Sequence, residues 1–348
     1  MASQSVSIPT AATSAAAESS ESEIIRIAVL DQPGLKIIGW GQTADVYEVD
    51  DDIVLKTCRV LEVPDGDASQ AKKAHYARSS IRNFARMKEE RFIYQLLKKQ
   101  PHPNIAEAIE IDLPEGIYLR RYRPLSEFKT TERPDRIHWY HDILSGLLRL
   151  HDLRIGHMSL YVDNVLIDYQ GRAVLCGFAN SGPFGNPNHV FSRPDNVLPV
   201  NGFAKTLSDV SDRFSMASLI FEMETGAKPI ESTDNNGTRV VPQVVHTGDS
   251  DIDLIIQKAW HEEYSSTAQM LEDITSLRQG SQRTYESIEV PASKDALRDR
   301  VREWRKTRME QNGGVIRTEL TEDELRSLAR RHNLTIDEEF RFTDYKLP

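Results

Sequence analysis

Ile155-Gly156-His157-Met158-Ser159-Leu160-Tyr161-Val162-Asp163-Asn164-Val165-Leu166-Ile167-Asp168 sets a polar loop before a short apolar strand, and Leu175-Cys176-Gly177-Phe178-Ala179 follows a few residues on. Loops carried on a rigid scaffold are where reactive side chains are commonly mounted. This one holds His157, Ser159, Asp163 and Asn164. On an extended segment neighbouring side chains point to opposite faces, so Asp163 is expected to aim away from Asn164. Gly177 offers no side-chain oxygen at all, and Ser159 offers a hydroxyl rather than a carboxylate.

Working outward toward the N-terminus, Ile38-Gly39-Trp40-Gly41-Gln42-Thr43-Ala44-Asp45-Val46 reads as a hairpin. Gly39 and Gly41 let backbone approach phosphate oxygens, and Val46 would form an apolar lid over a base; alone, the pattern describes an ordinary tight hairpin equally well. Asp50-Asp51-Asp52 marks a second turn, before Ile53-Val54-Leu55-Lys56. A lysine interrupting an otherwise apolar strand calls for an anionic partner. The helical pattern over 82–99, preceded by a polar loop over 61–80, supplies Glu90, with Glu89 as the competing assignment. An ion pair between Lys56 and Glu90 would aim the ammonium at phosphates.

In this order, and followed by His102-Pro103-Asn104-Ile105, these elements resemble the small lobe of the eukaryotic protein-kinase family. Tyr118 to Pro124 falls where that family has its adenine-gripping hinge, here made basic by Arg120, Arg121 and Arg123. The 155–168 stretch resembles the catalytic loop His-Arg-Asp-Leu-x-x-x-Asn, with Ser159 in place of the catalytic aspartate and Tyr161 where many Ser/Thr kinases carry lysine. Leu175 to Ala179 resembles the Asp-Phe-Gly segment with Gly177 at the metal-binding position. Pro194-Asp195 matches Ala-Pro-Glu loosely, and Ser211 to Ala217, Gly226 to Pro229 and Ile255 to Trp260 resemble later helical motifs. An arginine expected soon after Trp260 is missing, with Ser265, Ser266 and Thr267 there instead.

The resemblance covers about 35–280 and implies an α+β fold with two lobes. Its boundaries would be a disordered tail over 1–23, a β-rich lobe and hinge over 24–124, a mainly helical lobe over 125–280, and a helical extension over 281–348. It implies a pseudokinase, a scaffold or allosteric binding module with protein partners. ATP would rest on Gly39, Gly41, Val46, Lys56 and Glu90; Mg²⁺ is not expected, and Asn164 is left as a remnant that hydrogen-bonds the loop backbone. The alternative is an active Ser/Thr-type kinase that recruits Asp163 or Asp168. A small-molecule phosphotransferase is a third reading, and it needs carboxylates at the same two positions.

The rest of the chain bounds these readings. Of 348 residues 39% are hydrophobic, enough for a real core, and the net charge of −10 argues against nucleic acid or an anionic membrane as the main partner. Only two cysteines, Cys58 and Cys176, occur, which fits a reducing, intracellular compartment. No run of about 18 apolar residues suggests a membrane span. Helices are expected over 137–151, 212–225, 253–278, 293–310 and 322–332, the last opened by a Thr321/Glu324 capping box. Asp212 is expected to cap its helix and anchor backbone. Leu297, Val301 and Trp304 share one helix face and Leu325, Leu328 and Ala329 another; both faces are expected on the helical lobe, with partner docking as the alternative.

Overall fold

Ile53-Val54-Leu55 is apolar without alternation because its strand is covered on both faces. The computed structural model describes residues 31–41, 43–63, 68–128, 132–188, 197–242, 246–279, 291–311 and 316–335. The tail expected over 1–23 and the Pro194-Asp195 pair lie outside them. β1 (Ile37–Trp40), β2 (Ala44–Glu48), β3 (Ile53–Cys58), β4 (Ala108–Leu113) and β5 (Gly116–Arg120) form an antiparallel sheet in the order β1-β2-β3-β5-β4. The Asp50–Asp52 turn joins β2 to β3 as expected.

Helix α1 (Gln70–Lys98) intervenes between β3 and β4 and lies on one face of this sheet. There Val54 and Cys58 of β3 and Ile117 and Leu119 of β5 share a core with Met87, Ile93, Tyr94 and Leu97. The helix starts twelve residues before the expected position. Ser69 caps it by accepting from Lys72 N–H, and Ala71, Lys72, Lys73, Ala74 and Ala77 are strong helix formers, so the polar character of the segment concealed a helix.

The remaining elements are mainly helical: β6 (Arg123–Pro124), α2 (Arg133–Asp152), β7 (Ile155–Gly156), β8 (Val165–Ile167), β9 (Ala173–Leu175), β10 (Gly182–Pro183), α3 (Asp209–Thr225), α4 (Ser250–Trp260) and α5 (Thr267–Arg278). Strands β6, β8 and β9 make a small sheet, and β7 pairs with β10. The single helix expected over 253–278 is two. Glu262 takes a left-handed φ of 60°, and Ser266 opens the second helix by accepting from Gln269 N–H. Among the described residues no helix is long and apolar enough to cross a membrane.

The C-terminal helices α6 (Lys294–Gln311) and α7 (Glu322–Arg331) overturn the expected packing: they sit on the sheet portion, not on the helical one. Leu297 and Val301 of α6 cluster with Tyr47, Ile53, Leu55, Ile109 and Tyr118 on the outer sheet face, and Leu325 and Ala329 of α7 pack against Ile81 of α1. Apolar residues on alternate β3 and β5 positions made that outer face too greasy to leave wet. Polar ties fix the dock. Arg305 reaches the fully buried Glu115 at 2.5 Å, Arg91 pairs with Glu319 at 2.8 Å, and Arg300 bridges Asp50 and Asp52.

Removing Leu297 side-chain atoms should therefore behave as a core mutation. Leu297→Ala is expected to cost about 2–4 kcal/mol, and Arg305→Ala, which strands a buried Glu115, about 3–5 kcal/mol. Urea denaturation reads both; costs below about 0.5 kcal/mol, typical of surface sites, would show that α6 is not part of the folded unit.

Candidate functional site

Lys56 leaves β3 toward α1, where Glu90 receives it: Nζ lies 2.6 Å from one carboxylate oxygen and 2.7 Å from the other. The carboxylate is almost wholly buried, with 1% of its side chain exposed against 13% for Lys56. Glu89, the competing partner, turns instead toward Arg86 at 3.8 Å. Burial pushes the Glu89 carboxyl up to about 7, with Arg86 opposing that rise. Arg86 also donates to the Ala179 carbonyl, so α1 touches the segment after Gly177.

Above Lys56, the β1–β2 hairpin keeps Gly39 opposite Val46, and a side chain at Gly39 would meet the Val46 Cβ at 3.6 Å. Gly41 closes the turn by donating to the Ala44 carbonyl at 2.8 Å. Trp40 is 78% exposed and turns to solvent rather than over the cleft. The three arginines expected in a hinge are each paired: Arg120 with Glu107, Arg121 with Glu48, and Arg123 with Glu127 and the face of Phe128.

Asp212 organises the 157–159 loop. It is fully buried, accepts from the backbone N–H of His157 at 2.7 Å and of Met158 at 3.1 Å, and contacts His151 Nε2 at 2.9 Å. Burial opposes its ionisation, but the His151 and His157 contacts outweigh that and hold its carboxyl below the usual range. Asp212 does not cap α3; Ser208 does, accepting from Val210 N–H in a capping box with Ser211. The anchoring role is observed. His157, kept neutral chiefly by burial, lies 3.0 Å from the Cys176 carbonyl.

The positions read as degenerate are filled by a closed amide network. Ser159 Oγ accepts from Asn180 Nδ2 at 2.8 Å, and Asn164 Nδ2 donates to the Ser159 carbonyl at 2.7 Å, the backbone bond expected of it. Gly177 sits at φ 80°, ψ 52°, in the left-handed region. A Cβ there would stand 2.6 Å from Asn164 Cγ and closer still to its oxygen, so the asparagine amide occupies the space a side chain at 177 would need. Phe178 is fully buried, edge-on to Tyr94 and to His157.

The residues present do not fit a divalent metal held on the 159 and 177 positions, since neither offers a carboxylate. Asp168 is buried and spent on Arg172 and on the N–H groups of Gln170 and Arg172. Asp163 is exposed on a 3₁₀ turn, Val162–Asn164, not on an extended strand, so the alternation expected there does not apply. The Cys176 thiol is pushed up to about 12, chiefly by burial, with Lys56 opposing that rise and Glu90 and Asp163 adding to it. Sequence reasoning missed Asn180 and Arg86, whose roles come from chain crossings with no local pattern. The chain matches no protein-family model.

Two measurements follow from this geometry. Gly177→Asp and Asn164→Ala are each expected to destabilise, and the double variant to be more stable than their sum by about 1 kcal/mol or more, because the pair collides. Additivity in urea denaturation would mean the two sites do not crowd each other. Glu89 binds a proton more tightly folded than unfolded, so its cost is absent below the unfolded carboxylate range and grows as pH rises toward 7. Glu89→Gln is thus expected to raise stability near pH 8, by up to about 3 kcal/mol less the lost Arg86 attraction. The gain should vanish near pH 4, and a pH-independent difference in melting temperature would contradict it.

Proposed function

We propose that this chain is a pseudokinase: a two-lobed, protein-kinase-like fold acting as a scaffold or allosteric binding module for protein partners. The observation that carries the reading is the contrast between two groups of residues. In the sheet portion Lys56 and Glu90 are paired as a phosphate-positioning unit would require, with Val46 the cross-strand neighbour of Lys56 and Gly39 paired with Val46 in turn. In the helical portion Ser159, Asn164 and Gly177 form a hydrogen-bonded, carboxylate-free group. Phosphoryl transfer relies on metal-held phosphates and a base for the attacking hydroxyl, and two separate sources of transition-state stabilisation are missing from that group.

Bound nucleotide is compatible with this reading, since Lys56 lies 13% exposed between the hairpin and α1. An active kinase with a displaced carboxylate is the second reading. It is favoured by one feature, the exposed Asp163, whose charge is felt at Cys176 beside Gly177.

A thermal-shift titration with ATP, run in Mg²⁺ and again in EDTA, separates the two, because ligand that binds the folded state raises its melting temperature by mass action. The expected result is a shift indifferent to metal that disappears in Lys56→Met, or no shift. Stabilisation that needs Mg²⁺ and is lost in Asp163→Asn, followed by measurable transfer, would overturn the pseudokinase assignment.

A further inference from the structure

Where α6 begins, a cavity of about 610 Å³ opens between the last turn of α1, strand β4 and the Asp168–Arg172 turn. Its volume falls in the range of small-molecule sites. Lys56, Asn164 and Gly177 do not line it. Tyr94, Leu97, Pro103 and Tyr122 supply apolar and aromatic wall, while five cationic side chains, Lys98, Arg120, Arg172, Lys294 and Arg298, face three carboxylates.

The pairing within the cavity leaves a surplus. Arg120 pairs with Glu107 at 2.8 Å and Arg172 with Asp168 at 2.7 Å. Glu110 accepts from Ile111 N–H at 3.0 Å, and Arg298 is used by the Ile109 carbonyl and by Asp295. Among the described residues neither Lys98 nor Lys294 has a carboxylate within 4.0 Å. The exposed Lys98 and the half-buried Lys294 therefore both line this cavity without a carboxylate partner, in a chain whose net charge is −10. Lys294 is half-buried, and its ammonium is held below the usual lysine range by burial, with Arg298 and Lys98 acting in the same direction against Glu107 and Glu110. Lys294 is also the first residue of an 18-residue helix, whose positive end adds to the field.

We propose that this cavity binds a small organic phosphate monoester, its phosphate taken by Lys98 and Lys294 and its apolar body by the Tyr94–Pro103 wall. Two unpaired ammonium groups match a group carrying roughly −1.5 to −2 charges at neutral pH. The site stands apart from the Lys56 cleft and does not rest on the function proposed above. A phosphate there would join α1 to α6, linking occupancy to the contact between the sheet and the C-terminal helices.

Isothermal titration of the full chain with phenyl phosphate tests this, alongside inorganic phosphate, which lacks the body, and benzoate, which lacks the second charge. Saturable one-site binding is expected, about tenfold or more weaker in Lys98→Ala/Lys294→Ala, weaker for both comparison anions, and unchanged in Lys56→Met. Lys98→Gln/Lys294→Gln, which preserves the side-chain stems, serves if the alanine pair fails to fold. Absence of saturable binding, equal affinity in the lysine double variant, or loss in Lys56→Met would overturn the site. Benzoate binding as tightly as phenyl phosphate would overturn the phosphate assignment.

Discussion

Strand β3 must be dry on both faces, and much of the molecule answers that constraint. Val54 and Cys58 look toward α1, while Ile53 and Leu55 look toward α6, so a single strand requires a helix on either side. Burying side chains of this size is worth about 1.5–3 kcal/mol each. Helix α6 is thus the second cover of the sheet rather than an appendage. Through Ile81, Leu325 and Ala329, α7 presses on α1, the helix that carries Glu90. The position of the Lys56–Glu90 pair consequently depends on residues more than two hundred positions downstream, and Arg91 reinforces it by binding Glu319.

The loop side of the cleft has a different organiser. Asp212, buried without exposure, binds two successive N–H groups of the 157–158 backbone and contacts His151, and Met158 adopts a left-handed φ of 64° to make this possible. A carboxylate with three polar partners is stable in the interior where a lone one is not. This frame fixes the 157–158 backbone and with it the approach to Ser159. The backbone frame and the side-chain network on it are separable here, since the Asn164–Ser159–Asn180 network is made of neutral hydrogen bonds that do not involve Asp212. Arg213, beside the anchor, extends to the Tyr264 carbonyl at 3.1 Å and so ties α3 to the turn where Ser265 to Thr267 had read as an absence.

What the sequence revealed follows the range of each interaction. The Gly39–Val46 hairpin, the turn at Asp50–Asp52, the Lys56–Glu90 pairing over Glu89 and the Thr321/Glu324 capping box were all legible, because hairpins and caps are local and a lysine in an apolar strand has few anionic partners to choose from. Boundaries were less legible: α1 was truncated because Lys, Ser and His in its first turns look like loop, and the α4–α5 break hides in an unremarkable Glu262. The docking face of α6 was misjudged for another reason. Its Leu297–Val301–Trp304 stripe declares that it packs, but not on what; the answer lay in the unalternating Ile53-Val54-Leu55, which already announced a sheet with two covered faces.

The Lys56–Glu90 pair has a reason to exist that is independent of any nucleotide. Two charges taken out of water are costly, and an isolated buried pair is weak support for stability, yet removing one partner from it costs several kcal/mol. A pair tying β3 to α1 is thus self-maintaining once both residues are present: either substitution alone leaves a stranded charge in a site with 1% of the glutamate exposed. Ser159 and Gly177 carry no such penalty, since each is satisfied by backbone or by a neutral amide. Substitution at Ser159 leaves no buried charge behind, whereas the sheet portion cannot lose its lysine so cheaply. The asymmetry between the two sides is therefore what stability alone would produce, and bound nucleotide, rather than the presence of the pair, is the property that distinguishes a binding module from a structural relic.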